Sequence, residues 1–166
     1  MRYDIIIVGA GPSGLSFARS LEGSKLKLLI IEKSTVQTIS NPTPDGREIA
    51  LTHLSEKLLR KLDAWTRIAP ESISPIKAAK VLDGNSPYSL SFDSDSVAGA
   101  ALGYLVPNYL IRRALYEAVE IQENVEIRTE VSVDNVSTDQ DRGVVHLSNG
   151  DNCEATLIVE ADSRFS

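Results

Sequence analysis

Several features are scarce in this 166-residue chain, and each scarcity excludes a class of protein. A single cysteine, Cys153, excludes an internal disulfide and any metal site that needs several cysteines. The two histidines, His53 and His146, stand apart in the sequence, so we expect them to be surface or structural residues. No apolar run reaches the ~18 residues that a membrane-spanning helix needs. The N-terminal apolar run is too short, and too interrupted by glycine, for a signal peptide.

Positive charge is scarce as well. The chain has 17 Lys and Arg against 23 Asp and Glu, a net charge of −6 and a pI of about 4.9. This balance argues against a nucleic-acid-binding surface, which is usually basic. The hydrophobic fraction of 42% and charged fraction of 24% are typical of one ordinary globular domain, and the cysteine usage favours the cytoplasm.

The most informative stretch is YDIIIVGAGPSGL, at residues 3–15. Residues 5–8 are apolar and mostly β-branched, which predicts a strand buried on both faces. Gly9, Gly11 and Gly14 follow in the pattern GxGxxG, and a helix is predicted to begin at Pro12. Such a strand–turn–helix binds a dinucleotide pyrophosphate at the helix N-terminus. The alternative is a glycine-rich turn in some other α/β protein.

An acid follows at the spacing that this motif requires. Residues 26–31 (LKLLII) predict a second strand, and Glu32 comes directly after it, 18 positions beyond Gly14. A carboxylate there can accept hydrogen bonds from both ribose hydroxyls of an adenosine and repels a 2′-phosphate. The alternative is that Glu32 is simply a solvated residue at the end of a strand.

Arg47 is a second candidate for contact with a nucleotide. It follows residues 34–46, which are polar and rich in turn formers and predict a loop. The leucine spacing that follows, through Leu62, predicts a helix. At a loop-to-helix junction Arg47 could reach a phosphate or a flavin edge. Otherwise it is a surface arginine.

The middle of the chain does not continue the alternation of strand and helix. A connector is predicted at residues 68–75, strands at 77–82, 88–92 and 102–106, a turn at 83–85 and a break at 94–99. We interpret these elements as an excursion towards a second sheet.

The alternation of strand and helix resumes with a helix that Asn108 can cap, in which Arg113 and Glu117 form an i,i+4 pair. Strands are predicted at residues 125–127 and 131–136, followed by a hairpin turning at Asn149-Gly150 between 144–147 and 155–159. Asp162 follows the last strand, where open α/β sheets bind ligands. Because a strand like this is usually covered by a further element, we expect the chain to be the N-terminal part of a longer protein.

Four segments, in this order, resemble the flavoprotein aromatic hydroxylases, or group A FAD-dependent monooxygenases, and most of all their ubiquinone-biosynthesis branch. The segments are DIIIVGAGPSGL, GREIALTHLSEKLLRKLDAW, LGYLVPNYLIRRAL and LIVEADSRFS. The resemblance covers the whole chain and implies an α/β fold. This would be a Rossmann-like FAD-binding βαβ domain of the glutathione-reductase type, with a β-meander and the start of a substrate-domain sheet. The domain is expected at 1–75 and 106–166, and the substrate-sheet excursion at 76–105.

The resemblance also implies site roles. Gly9, Gly11 and Gly14 would hold the FAD pyrophosphate, and Glu32 the adenosine ribose. Arg47 would contact the phosphates or lie near the flavin, Asn108 would contact the flavin side, and Arg112 would lie near the pyrophosphate. Asp162 would hold a ribose hydroxyl and shape the approach of the pyridine nucleotide. The other implied cofactor-binding residues are Ala10, Pro12, Ser13, Lys33 and Val133. No residue is assigned to catalysis.

For the whole protein, the resemblance implies FAD- and NAD(P)H-dependent hydroxylation by O₂ of a polyprenyl phenol or quinol. It also implies peripheral membrane contact through this greasy substrate, and either a homo-oligomer or a ubiquinone-biosynthesis complex. A second FAD motif of the family lies downstream of the residues in this chain, so we expect the chain alone to bind FAD weakly and to be inactive. A prenyl reductase on the same scaffold stays open. A halogenase is disfavoured because its WxWxIP segment is missing.

Overall fold

The computed structural model describes residues 1–84, 88–93 and 101–162. They form two compact units: Met1–Thr43 with the chain from Arg112 onward, and Pro44–Ile111. The end of the predicted turn at 83–85 and the predicted break at 94–99 lie outside the described residues, as does the chain after Asp162. The functional division at 76–105 stays a prediction.

The described residues contain eleven strands and four α-helices. The strands are β1 (Arg2–Val8), β2 (Leu28–Ile31), β3 (Glu48–Leu51), β4 (Ser74–Ile76), β5 (Ala78–Leu82), β6 (Ser89–Asp93), β7 (Gly103–Pro107), β8 (Val125–Arg128), β9 (Val133–Thr138), β10 (Gly143–Leu147) and β11 (Asn152–Glu160). The helices are α1 (Pro12–Ser20), α2 (Val36–Ser40), α3 (His53–Lys61) and α4 (Asn108–Glu120).

The first unit is built on a six-stranded sheet in the order β8-β2-β1-β11-β10-β9. The first four strands in this order run parallel, and β10 and β9 continue antiparallel as a meander. The predicted α/β fold with its β-meander is therefore confirmed. Asn149-Gly150 makes the predicted hairpin, and Gly150 takes a positive φ of 88° there.

The two central strands are buried on both faces, as their apolar runs predict. Ile6 and Leu29 lie on one side of the sheet in a core that also contains Val145 and Cys153. Burying each large aliphatic side chain contributes about 1.5–3 kcal/mol. The helix α1 begins at Pro12 as predicted and buries Gly14, Leu15 and Ala18.

The second unit contains two small sheets. One has the order β3-β7-β4 with antiparallel pairing, and the other is the antiparallel pair β5 and β6. The predicted strands at 77–82, 88–92 and 102–106 are therefore present with boundaries shifted by a residue. They divide between two sheets, because β7 pairs with β3 and β4 rather than with β5 or β6.

Three local predictions were wrong. The predicted loop at 34–46 contains α2, which Thr35 caps by accepting a hydrogen bond from the Thr38 N–H at 3.2 Å. The segment after Arg47 begins as β3 rather than as a helix, because it pairs with β7 far away in the sequence. The predicted connector at 68–75 ends in β4. In the described part of the chain, no helix has both the length and the apolar character needed to cross a membrane.

The parallel strands bring their following residues to one edge of the sheet. Gly9 follows β1, Glu32 follows β2 and Ala161 follows β11. The carboxyl end of neighbouring parallel strands is where open α/β sheets bind ligands. The fold thus places the glycine turn, the acid and the Ala161-Asp162 pair together.

Candidate functional site

Gly9 makes the turn out of β1. Its φ of +103° lies in the region that favours glycine, and a Cβ there would stand 2.9 Å from the Cα of Asp162. The Gly9 N–H donates to the Ile31 carbonyl at 2.8 Å, which ties the turn to the end of β2. Glycine at this position is therefore required by the chain itself.

Gly14 has a different reason to lack a side chain. A Cβ on Gly14 would collide with the Gly9 carbonyl oxygen and would lie 3.2 Å from Cγ2 of Ile7. The missing side chain lets α1 pack directly on β1 and on the turn, as the motif predicts.

Gly11 is the informative member of the motif. Its φ of −79° suits any residue, and a Cβ there would meet nothing nearer than the Ala161 carbonyl oxygen at 3.9 Å. Neither backbone strain nor packing within the chain requires glycine at this position. The close approach of a bound group to the backbone would require it, which is the predicted role of this residue.

The N-terminus of α1 suits an anion. Gly11 is its cap residue and supplies no side-chain hydrogen bond, and the first turn carries no acid. Pro12, at the first helical position, lacks an N–H, so the free N–H groups come from the residues after it. Pro12 and Ser13 are exposed, and Ala10 is buried. The positive end of the helix dipole adds to the attraction for a phosphate.

Glu32 reaches from the end of β2 into this turn. Its Oε2 accepts from the Ala10 N–H at 2.8 Å and its Oε1 from the Ser34 N–H at 2.8 Å. Partial burial raises the pKa of this carboxyl, but the hydrogen bonds from Ala10 and Ser34 outweigh it and leave the pKa below its ordinary value. Glu32 is therefore a fixed, ionised acceptor beside the glycine turn.

Two other predicted residues lie close to this turn. Asp162 follows β11, and the Ala161 N–H donates to the Val8 carbonyl at 2.8 Å, so both strand ends are tied together. Lys33 is exposed directly after Glu32.

Val133 begins β9, opposite Leu147, and packs against the core. The segment before it runs beside Glu32, since the Val131 N–H donates to the Glu32 carbonyl at 3.3 Å.

The second unit holds Arg47 and Asn108 in one network. Nε and Nη2 of Arg47 donate to Oδ2 of Asp45 at 2.9 and 2.7 Å, and Nδ2 of Asn108 donates to the same oxygen at 2.8 Å. Hydrogen bonds from Asn108 and Arg47 lower the pKa of Asp45 to about 2. The expected junction was wrong in detail, since Arg47 precedes the strand β3 rather than a helix.

Asp45 is a residue that the sequence reasoning missed. Its Oδ1 accepts from the Arg47 backbone N–H at 3.1 Å, the local turn that Asp favours two residues before its partner. The Asp45-Gly46 pair just before Arg47 was the signal that could have found it. Arg112 lies one helical turn after Asn108 on α4 and is half-buried; its side chain makes no hydrogen bond or ion pair with the described residues.

The remaining candidates are structural. Nε2 of His53 bonds the Ala101 carbonyl at 2.8 Å, and Nδ1 of His146 bonds Oδ1 of Asn152 at 2.9 Å. Cys153 is buried and accepts a hydrogen bond from Arg128 at 3.3 Å. Across the ranges that the structure describes, no three His, Cys, Asp or Glu side chains gather in a way that could hold a metal ion.

Comparison with known proteins shows which family the chain belongs to. A family model described as an FAD binding domain matches residues 2–163. The chain is 47% identical over 170 residues to the ubiquinone hydroxylase UbiM of Neisseria meningitidis, covering 100% of the chain and 37% of the relative. It is 26% identical over 164 residues to the 3-demethoxyubiquinol 3-hydroxylase of Escherichia coli, covering 98% of the chain and 42% of the relative.

Among solved structures, the chain resembles p-nitrophenol 4-monooxygenase PnpA from Pseudomonas putida. The TM-score is 0.78 at 18% identity, with 99% of the chain and 42% of the other chain covered. At this identity the likeness supports the fold. The chain thus spans well under half the length of these relatives.

Proposed function

The chain belongs to the FAD-binding domain family, and from this membership we propose that the whole protein hydroxylates an aromatic ring with FAD, NAD(P)H and O₂. The proposed substrate is a polyprenyl phenol or quinol of ubiquinone biosynthesis. The 47% identity to a ubiquinone hydroxylase over the whole chain supports this substrate class. Because the chain spans 37% of that relative, the reaction is assigned to the whole protein.

The observation that carries the proposal is the turn between β1 and α1. Gly9 and Gly14 are explained by contacts inside the chain, and Gly11 is left to serve a bound group. The FAD pyrophosphate would lie over Gly11, at the uncapped N-terminus of α1, where N–H groups and the helix dipole neutralise its charge.

Glu32 would bind the adenosine ribose of FAD. Each of its carboxylate oxygens uses one lone pair on a backbone N–H and keeps capacity for a ribose hydroxyl. Because these N–H groups hold the carboxylate ionised and in place, the hydroxyls meet an ordered acceptor. A 2′-phosphate would be repelled by the same charge.

The other site residues keep the roles that the family resemblance implies. Arg47 would contact the FAD phosphates or lie near the flavin, Asn108 would contact the flavin side, and Arg112 would lie near the pyrophosphate. Asp162 would hold a ribose hydroxyl, which its position against Gly9 supports. The remaining proposed contacts are Ala10, Pro12, Ser13, Lys33 and Val133.

When bound, FAD supplies the redox chemistry, taking a hydride from NAD(P)H and activating O₂ for transfer to the ring. The residues of this chain bind and orient the cofactor. No side chain of the described residues is needed as an acid, base or nucleophile in this account. The cofactor's phosphates would be held by N–H groups and cations, and its adenosine ribose by Glu32.

Residues 76–105 would contribute to the sheet that binds the substrate. On the β5–β6 pair, Ala79 lies opposite Phe92 and Val81 opposite Leu90, so these four side chains share one face. Val81, Leu90 and Phe92 are each about half exposed, which leaves this face apolar and open to a greasy ligand or to further chain. Contact of the whole protein with a membrane surface, and self-association or a ubiquinone-biosynthesis complex, belong to the same proposal.

The test uses the whole protein loaded with FAD. We expect NAD(P)H oxidation to be stimulated by a prenylated phenol, and ¹⁸O from ¹⁸O₂ to appear on the aromatic ring by mass spectrometry. In the control reaction, run in ¹⁸O-labelled water with unlabelled O₂, we expect no ¹⁸O in the product. A product with a reduced prenyl double bond and no new oxygen would contradict the hydroxylase and favour the reductase alternative.

A further inference from the structure

Asp45 lies at the centre of the polar network in the second unit. One of its oxygens, Oδ2, accepts three hydrogen bonds, two from Arg47 and one from Asn108. Its other oxygen accepts from the Arg47 backbone N–H. A single carboxylate therefore holds both residues of this unit that are proposed to contact FAD.

Asp45 occupies only part of the Arg47 guanidinium, and the other N–H groups stay available for a further acceptor. Arg47 donates through Nε and Nη2, so two of its five side-chain N–H bonds are used. Nη1 has no hydrogen-bond partner within the described residues, and the Arg47 side chain is 67% exposed against 25% for Asp45. The pair thus presents a cation with a fixed inner edge and a free outer edge.

We infer that Asp45 is a positioning residue for FAD binding, which holds Arg47 and Asn108 in one fixed arrangement before the cofactor binds. This rests on the proposed function, in particular on the contact between Arg47 and the FAD phosphates. An exposed arginine samples many rotamers, and ordering it on binding has an entropic cost. Asp45 orders the side chain before FAD arrives, and Asn108 fixes Asp45 in turn.

The opposing effect of Asp45 is electrostatic. Its negative charge partly neutralises Arg47 and repels a phosphate, so it could instead compete with FAD. Three features favour positioning over competition. The carboxylate uses only the inner edge of the guanidinium, it is itself held by a buried Asn108, and three hydrogen bonds to its Oδ2 already offset its negative charge.

The test is a double-mutant cycle for FAD affinity in the whole protein, followed by flavin fluorescence. Asp45→Asn should raise the Kd about tenfold when Arg47 is present and change it little in the Arg47→Ala background. Asp45→Glu should restore part of the affinity, because it restores the charged pair. If Asp45→Asn weakened FAD binding only by disturbing the fold, the loss of affinity would persist in the Arg47→Ala background and Asp45→Glu would not restore it.

The matched control is Asp139→Asn. Asp139 is also an exposed aspartate that accepts two backbone N–H groups and pairs with an arginine, and it is proposed for no role in binding. Its replacement should leave the Kd unchanged, and thermal unfolding of each apo-protein should show that the variants fold.

Two results would overturn the inference: tighter FAD binding by Asp45→Asn, or an equal loss with and without Arg47. An unchanged Kd in Arg47→Ala would overturn it as well, and with it the proposed contact of Arg47. Failure of the wild-type protein to bind FAD at all would instead contradict the proposed function.

Discussion

Gly11 and Gly14 are three residues apart at the start of α1, but their surroundings differ. A side chain on Gly14 would strike the Gly9 carbonyl, whereas one on Gly11 would meet only ordinary van der Waals contact. The motif GxGxxG predicts that all three glycines matter. Only the structure separates the two that the fold needs, Gly9 and Gly14, from Gly11, which the fold does not need.

This difference predicts opposite outcomes for two similar substitutions. Gly14→Ala should lower the free energy of unfolding by about 1–3 kcal/mol, because the added methyl group overpacks the turn. Gly11→Ala should change it by less than about 1 kcal/mol, since its φ and surroundings accept alanine. Gly11→Ala should nonetheless weaken FAD binding. Urea unfolding and FAD titration of both variants would check this, and equal losses of stability would contradict it.

At the level of elements, the connections of the first unit depend on one amide. Nδ2 of Asn124 donates to the Leu26 carbonyl at 2.9 Å and to the Leu21 carbonyl at 3.3 Å, which ties the end of α1 to the approach to β2. Beside it, Nε2 of Gln122 donates to the Ala18 carbonyl at 3.0 Å. The segment after α4 therefore adds a second donor to the Ala18 and Leu21 carbonyls, which already accept from the Leu21 and Ser24 N–H groups, and gives the Leu26 carbonyl a donor.

We predict that Asn124→Ala lowers the free energy of unfolding by about 1–3 kcal/mol, because the Leu26 carbonyl loses the amide donor and the Leu21 carbonyl loses one of its two donors. FAD affinity should be nearly unchanged, since the amide lies at the C-terminal end of α1 and the glycine turn at its N-terminal end. Asn135→Ala is the control, because Asn135 is exposed on β9 and should change stability by no more than about 0.5 kcal/mol. Equal effects of the two variants in urea unfolding would count against this account.

The elements also mark what the sequence could and could not predict. β1, α1, β2 and the final hairpin carry strong local signals, namely apolar runs, a GxGxxG turn and Asn-Gly, and all four were predictable. β3 was not, because a four-residue strand of alternating burial is stabilised by pairing with β7 about 55 positions away. The turn of Asp45 with Arg47 carries a local signal, but the contact of Asp45 with Asn108 was unpredictable for the same reason as β3, since the two residues are distant in the sequence.

At the level of the whole molecule, acid should destabilise the protein. Asp45, Glu32 and Glu126 all have a pKa below its ordinary value in the folded chain, because hydrogen bonds favour their ionised forms over the opposing effect of burial. The unfolded state then binds more protons than the folded state as these groups titrate. Their contribution to stability is therefore complete above the unfolded pKa and is lost as the pH falls through the folded pKa.

For Asp45 this window runs from its unfolded pKa of 3.8 down to about 2. We predict that the free energy of unfolding falls progressively as the pH is lowered from neutral into this range, and that the fall is smaller in Asp45→Asn. Urea unfolding at a series of pH values would check both statements. Ordinary carboxyl groups titrate at about pH 3 to 5. A free energy of unfolding that stays constant or rises as the pH is lowered through this range would be inconsistent with these pKa directions.

The central claim is that the turn after β1 and the acid after β2 bind FAD. The most direct measurement is an FAD titration of the whole protein, by flavin fluorescence, with Glu32→Ala and the exposed control Glu123→Ala beside the wild type. The account predicts saturable binding of one FAD by the wild type and by Glu123→Ala. Glu32→Ala should raise the Kd roughly 10- to 100-fold, as loss of a charge-assisted hydrogen bond does. No FAD binding by the wild type, or an unchanged Kd in Glu32→Ala, would contradict it.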